Sequence, residues 1–218
     1  MKHLINDLLD LPYVGLLSKG LKNALKKEKE RRKTFFNHQY DKAEFINGEL
    51  VIPSPLNKKA LLAKDAILVT LKNLLNTPEW HIFDENPIVL TRNVYQSPIS
   101  VFKQENIKKI KNNKFVFGTP DLVVEMVDNF SEYYIREIKM RDLEEHGIAE
   151  YWIIDAETQQ IDQFALKDGK YEHLRKDDKN LKSRFLKDFS LSIKTIFKGR
   201  SKKVENNISQ QTDEKEFY

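Results

Sequence analysis

A carboxylate stands inside an apolar run: Glu125, in Gly118-Thr-Pro-Asp-Leu-Val-Val-Glu-Met-Val-Asp128. Burial of such a charge without a partner is costly enough to force a proton onto it. The stretch reads as a strand, and the alternation of a strand puts Asp121, Val123, Glu125 and Val127 on one face and Leu122, Val124 and Met126 on the other. At roughly 3.3 Å per residue, Asp121 and Glu125 are about 13 Å apart. They cannot hold one metal ion together without a bend, so a second carboxylate for Glu125 has to come from another segment. The plainer alternative is an edge strand whose Glu125 faces water.

A cation is placed oddly in the next segment. Residues 131–147, "SEYYIREIKMRDLEEHG", have helical periodicity, with Ser131 as the expected N-cap and Gly147 as the stop. Ile135, Lys139 and Leu143 recur every four residues and share one face. Lys139 therefore lies on the stripe that packs toward the sheet. Either its ammonium snorkels to the helix edge, or it meets Glu125 over the sheet.

Other elements must position these two. Residues 1–35 are amphipathic and helical, interrupted near Pro12 and Gly15. Between Lys19 and Lys33 there are eight Lys or Arg against two Glu, a solvated face or a contact for phosphate. "AEFINGELVIPSP" (43–55) alternates on both sides of Asn47-Gly48, a hairpin signal, and stops at Pro-Ser-Pro. Residues 56–76 form a helix with Leu61, Leu62, Leu68, Leu71 and Leu75. Extended segments over 80–103, a Lys/Asn-rich loop at 104–114 and the strand at 115–127 follow. After the 131–147 helix, residues 149–166 read as two strands around a turn at Asp155 to Gln159, with Gly169 in a further turn. Residues 181–197 close the ordered part, and the last twenty are polar enough to be disordered. Helices and strands in this order predict an α/β domain, an α+β mixed sheet flanked by helices.

At 218 residues the chain suits one domain with extensions. The expected division is an N-terminal amphipathic helical extension over 1–39, a main domain over 40–198 and a polar tail over 199–218. Thirty-seven Lys and Arg against 33 Asp and Glu give +4, too little by itself to indicate nucleic-acid binding. The absence of Cys removes disulfides, thiolate zinc sites and thiol nucleophiles. No apolar run approaches the roughly 20 residues of a membrane span, and the start lacks a secretory cleavage pattern. A soluble, cytoplasmic protein is the expectation. The five His are scattered, and no Gly-rich phosphate loop or nucleophile elbow is found.

"GTPDLVVEMV", Lys139 eight residues before Gly147, "GIAEYWIID", "INGELVIPSP" and "LKSRFLKDFSLSIKTIF" together resemble the bacterial putative restriction endonuclease family. That family is a branch of the PD-(D/E)XK nuclease superfamily. The likeness covers about residues 40–198. It implies a restriction endonuclease-like core and Mg²⁺-dependent hydrolysis of phosphodiesters in nucleic acid, DNA above all, with Mn²⁺ as a substitute ion. The ion would activate water and offset charge on the scissile phosphate, with a lysine near the attacking water. On this resemblance Glu125 is the acidic residue of the second strand, Lys139 the lysine, moved to the helix because Val127 occupies its usual position, and Glu49 the upstream acidic residue. Glu125 and Glu49 would be the metal ligands, and Asp121 a partial substitute for a further acid.

One match fails. The family carries a Pro-Asp on the preceding strand, where this chain has Pro98-Ile99, and isoleucine ligates no metal. A His common in relatives at the entrance of the 56–76 helix is also absent. Two functional expectations therefore stand together: a degenerate endonuclease, or a catalytically inactive nuclease-fold module that binds nucleic acid or protein. An unrelated α/β structural protein is the third. Nucleases of this kind often act as dimers, so the N-terminal helix is an expected homodimer arm.

Overall fold

A computed structural model describes residues 2–38, 40, 42–111, 114–128, 131–174 and 179–198. The polar tail expected at 199–218 lies outside the described residues. Near Pro12 the N-terminal helical segment divides into α1 (Lys2–Leu9) and α2 (Val14–Asn37). The Asn-Gly hairpin is β1 (Glu44–Ile46) and β2 (Glu49–Val51). Asn47 and Gly48 both have positive φ, 51° and 89°, as a two-residue turn matched to strand twist requires.

Asn57 caps α3 (Lys58–Leu74), its side chain accepting from Ala60 N at 2.9 Å. The extended segments become β3 (Trp80–Asp84), β4 (Pro87–Val89), β5 (Val94–Gln96) and β6 (Ile99–Lys103). The Lys/Asn-rich stretch differs from the loop expected there. After one 3₁₀ turn it forms β7 (Ile107–Lys111), whose antiparallel partner is β8 (Phe115–Gly118). Its lysines can project from an exposed edge, which blunts that edge without breaking the ladder.

The single strand expected over 115–127 is two. Gly118 has φ +145°, and a Cβ there would lie 2.0 Å from the Asn106 carbonyl oxygen. The chain turns at this point and re-enters as β9 (Leu122–Met126) in another sheet. A π-helical turn over Tyr134–Lys139 runs into α4 (Met140–Glu145). β10 (Glu150–Asp155), β11 (Gln160–Lys167) and β12 (Lys170–His173) follow, then β13 (Asn180–Lys182), β14 (Ser190–Ser192) and α5 (Ile193–Lys198). Asp155 holds the β10–β11 turn by accepting from the backbone N–H groups of Glu157 and Thr158, both at 2.9 Å.

The fold is a mixed α+β arrangement with two six-stranded sheets instead of one. The first runs β2-β1-β5-β4-β8-β7 and the second β12-β11-β10-β9-β6-β3. Each contains one parallel pair, β4 with β8 and β9 with β10. Strand alternation sorts their side chains into three cores. Phe45, Val89, Val94 and Phe115 pack outward on Phe35 of α2. Leu122, Val124, Met126, Trp152 and Ile154 pack on α3 and α5 through Ile67, Leu71 and Ile196. Between the sheets lie Ile46, Ile88, Tyr95 and Val116 from one, Val123, Tyr151 and Ile153 from the other, and Ile135 and Leu143 from the helix. The bidentate pair of Arg92 and Glu28, with both N–O distances 2.7 Å, ties α2 to the β4–β5 connection.

Candidate active site between the two sheets

Parity puts carboxylates on facing walls. Glu125 follows Val123 on the inner side of β9, and Glu44 precedes Ile46 on the inner side of β1. The helix between the sheets supplies Lys139 on the same stripe as Ile135 and Leu143, all three buried. Lys139 Nζ donates to Glu44 Oε1 at 2.9 Å and to Glu125 Oε1 at 3.0 Å. It also lies 5.0 Å from the centre of the Tyr95 ring, a cation–π contact. The relative exposures of Glu125, Lys139 and Glu44 are 3%, 4% and 5%. Neither the water-facing Glu125 nor the snorkelling Lys139 is what the fold adopts.

The surroundings fix each group. Glu44 Oε1 also accepts from Gln96 N at 2.8 Å. Tyr95 OH donates to Asp142 Oδ2 at 2.7 Å and accepts from Asn93 Nδ2 at 2.8 Å. Burial and the Asp142 carboxylate keep that phenol protonated, far above its ordinary range. Ser131, the expected N-cap, directly precedes the first helical residue and is tied to Asp128. Asp128 Oδ1 accepts from Ser131 N at 2.7 Å, and Ser131 Oγ accepts from Asp128 N at 3.1 Å. The π turn ending at Lys139 is an irregularity of the kind that recurs at functional sites.

Two carboxylates share one ammonium, so the fully ionised trio carries one surplus negative charge. Burial pushes the Glu125 carboxyl up to about 7, and Glu44 adds to the rise against the pull of Lys139. Burial acts on Lys139 in the opposite sense, but Glu125 and Glu44 together outweigh it and hold the amine above its ordinary value. The geometry gives the direction its meaning: at the acid end the site keeps a proton, and Lys139 stays charged throughout.

The trio lies in the wall of a cavity of about 530 Å³, lined also by the chain after β2 and by the first turn of the helix. Val51, Ile52, Pro53, Pro55, Leu56 and Tyr134 give it apolar walls. Lys42 and Glu85 stand on one side, paired at 2.9 Å, and Glu85 is further held by buried Lys64 at 2.8 Å.

The remaining sequence-nominated residues lie elsewhere. Glu49 stands at the turn end of the β1–β2 hairpin, with a side chain 77% exposed and 3.6 Å from Arg31. Glu44, at the other end of the same hairpin, is the acid that reaches Lys139. The sequence did contain it, two residues before Ile46, but nothing local separates it from Glu49. Asp121 accepts from Lys103 N at 2.7 Å and from Asn106 Nδ2 at 2.9 and 3.0 Å, holding the turn after β6. Ile99 pairs with Val124 in the β6–β9 register and shares its face. Its side chain is fully buried in the α3 core, so position 99 lies on the opposite side of the sheet from Glu125. Among the described residues no group of three or more His, Cys, Asp or Glu is arranged to hold a metal ion.

Known proteins bear on this arrangement. The crystal structure of a putative nuclease belonging to DUF820 from Anabaena variabilis has the same fold, with a TM-score of 0.63 and 17% sequence identity, covering 75% of this chain and 95% of that one. No curated protein matches the sequence. Residues 29–194, well over half of the chain, match the family Uma2, described as putative restriction endonuclease. The match begins eleven residues before the stretch whose motifs carry the resemblance, within the part of α2 whose Phe35 packs on the first sheet. The chain therefore belongs to the Uma2 family of putative restriction endonucleases.

Proposed function

We propose that the protein is a metal-dependent nuclease whose working residues are Glu125, Glu44 and Lys139. The observation that carries this reading is one buried ammonium bonded to carboxylates from two different sheets, at a cavity wall. A surplus negative charge in a dry site is neutralised by a proton or by a cation, and hard carboxylate oxygens suit Mg²⁺ or Mn²⁺. Mg²⁺ is commonly held by one or two carboxylates, with water and substrate phosphate completing its shell. Glu125 and Glu44 are the residues that would hold such an ion. When bound, the ion would lower the pKa of a water and offset charge on the phosphate.

The chain's own residues do the rest. Lys139 orients both carboxylates and keeps a positive charge beside the phosphate. The Tyr95 ring and the apolar helix stripe hold Lys139 in place and keep bulk water from it. Outside the cavity, Lys109 Nζ lies 4.6 Å from the Phe117 ring centre and Lys111 Nζ 5.4 Å from that of Phe36. Cations standing on aromatic rings along β7 support contact with a nucleic-acid backbone. Exposed Leu17, Leu21 and Leu25 on α2 support the dimer arm, which a one-chain mass in solution rules out. Among the described residues no helix is long and apolar enough to cross a membrane, and a cytoplasmic nuclease is the proposed setting.

The test is incubation with plasmid and with single-stranded DNA in Mg²⁺ or Mn²⁺, beside Glu125→Gln. Cleavage lost in the variant supports the enzyme. DNA binding without cleavage by either protein supports the inactive module.

A further inference from the structure

We infer that the cavity takes a single unstacked nucleobase, so that the substrate is single-stranded nucleic acid or a strand end drawn out of a duplex. This rests on the nuclease reading and narrows it. Glu125 and Lys139 are only 3% and 4% exposed, so a phosphate can meet them only from inside the cavity. Its volume of about 530 Å³ falls in the range of sites that enclose one small molecule, roughly 300–1,000 Å³. A nucleotide unit is of that scale, whereas a duplex presents its phosphates on a stiff, broad rod.

Beyond the one phosphate that meets Lys139, the lining suits a base better than a further run of backbone. Four carboxylates, Glu44, Glu85, Glu125 and Asp128, line the cavity against two ammonium groups, Lys42 and Lys139. Such a wall repels a run of bare phosphates and is indifferent to a neutral ring. Tyr134, 39% exposed and part of the lining, offers an aromatic face to stack on, and Pro53 and Leu56 offer apolar contact.

The experiment measures binding of a labelled single-stranded DNA 12-mer and of its duplex, by anisotropy in EDTA, to the wild-type protein, Tyr134→Ala and Tyr134→Phe. The single strand should bind at least about tenfold tighter than the duplex. Loss of one base–aromatic stack should weaken it about tenfold in Tyr134→Ala and leave Tyr134→Phe within twofold of wild type. Circular dichroism of both variants separates misfolding from loss of the ring. Equal binding of duplex and single strand, an unchanged Tyr134→Ala, or no binding of either nucleic acid overturns the inference. Cleavage assays with Mg²⁺ on the same oligonucleotides keep the two readings apart. A single strand bound through Tyr134 but never cut overturns the nuclease and leaves the base pocket standing. A duplex cut as fast as the single strand, in a Glu125-dependent manner, does the reverse.

Discussion

Lys139 Nζ stands 3.0 Å from Glu125 Oε1 although β9 and the helix that carry them meet only across the inter-sheet core. Both residues are almost wholly buried. Removing the cation alone leaves two carboxylates facing each other in a dry site. Lys139→Met should therefore destabilise the protein by about 3–5 kcal/mol, as measured for broken buried pairs. Glu125→Gln, which leaves Lys139 paired with Glu44, should cost less. Urea unfolding of the two variants measures the difference, and equal midpoints would remove the pair from any structural role.

The same burial sets a pH dependence. Glu125 releases its proton near 7 when folded, against 4.5 in the unfolded chain. The folded state therefore binds more protons between these values, and stability must fall as pH rises through that window. The contribution of Glu125 is fully present below about 4.5 and gone above about 7. Lys139 has the same sign at higher pH, since its raised value makes its contribution complete below the ordinary lysine range and lost as the folded amine deprotonates. Thermal melts from pH 4.5 to 7.5 should show a downward slope that Glu125→Gln flattens. An unchanged slope would mean that Glu125 titrates normally.

Glu44 and Glu49 give a sharp comparison, because they lie five residues apart on one hairpin. Glu44→Gln should reduce nuclease activity at least a hundredfold, within the range for a group acting on a reacting centre. Glu49→Gln should leave activity within about twofold and cost well under 1 kcal/mol, since its side chain is exposed and its ion pair with Arg31 is a surface one. Initial rates on single-stranded DNA decide it. Greater loss from the Glu49 change would return the metal-ligand role to Glu49.

Glu150 makes a structural counterpart. Its buried carboxylate accepts from Trp152 Nε1 at 2.9 Å, from Ser183 Oγ and Phe185 N at 2.8 Å, and from Arg184 N. Glu150→Ala leaves these donors unsatisfied at about 1–3 kcal/mol each for those that stay dry. The melting temperature should fall by at least about 10 °C, and the amides of residues 184 and 185 should lose hydrogen-exchange protection.

Much of this site is local in origin. Alternation in "DLVVEMV" puts Glu125 on one face of a strand, and four-residue spacing puts Lys139 with Ile135 and Leu143. Both positions sit among apolar neighbours, which raised the question of a partner without deciding burial, since a buried charge requires one and an exposed charge does not. The Asn47-Gly48 hairpin, α3 and the β10–β11 turn were legible for the same reason, since capping residues and turn residues act within a few positions.

What the sequence by itself determined, then, is which face of its strand Glu125 shares and which stripe of its helix Lys139 shares, and that the chain carries the motifs of its family; that both are buried was decided by the tertiary structure. Only the tertiary structure decided which acid joins them. Glu44 and Glu49 differ little in local pattern, but the first lies where β1 faces β9 across the core and the second lies at a solvated turn. Strand pairing decided Ile99 in the same way: its register with Val124 sends it to the α3 side, and no property of residue 99 announces that. The break at Gly118 turned one apparent strand into two, in two sheets, and glycine is required there because a Cβ would strike the Asn106 carbonyl. Contacts between distant segments depend on which sheet a strand joins and which face it presents, and those choices minimise the free energy of the whole core.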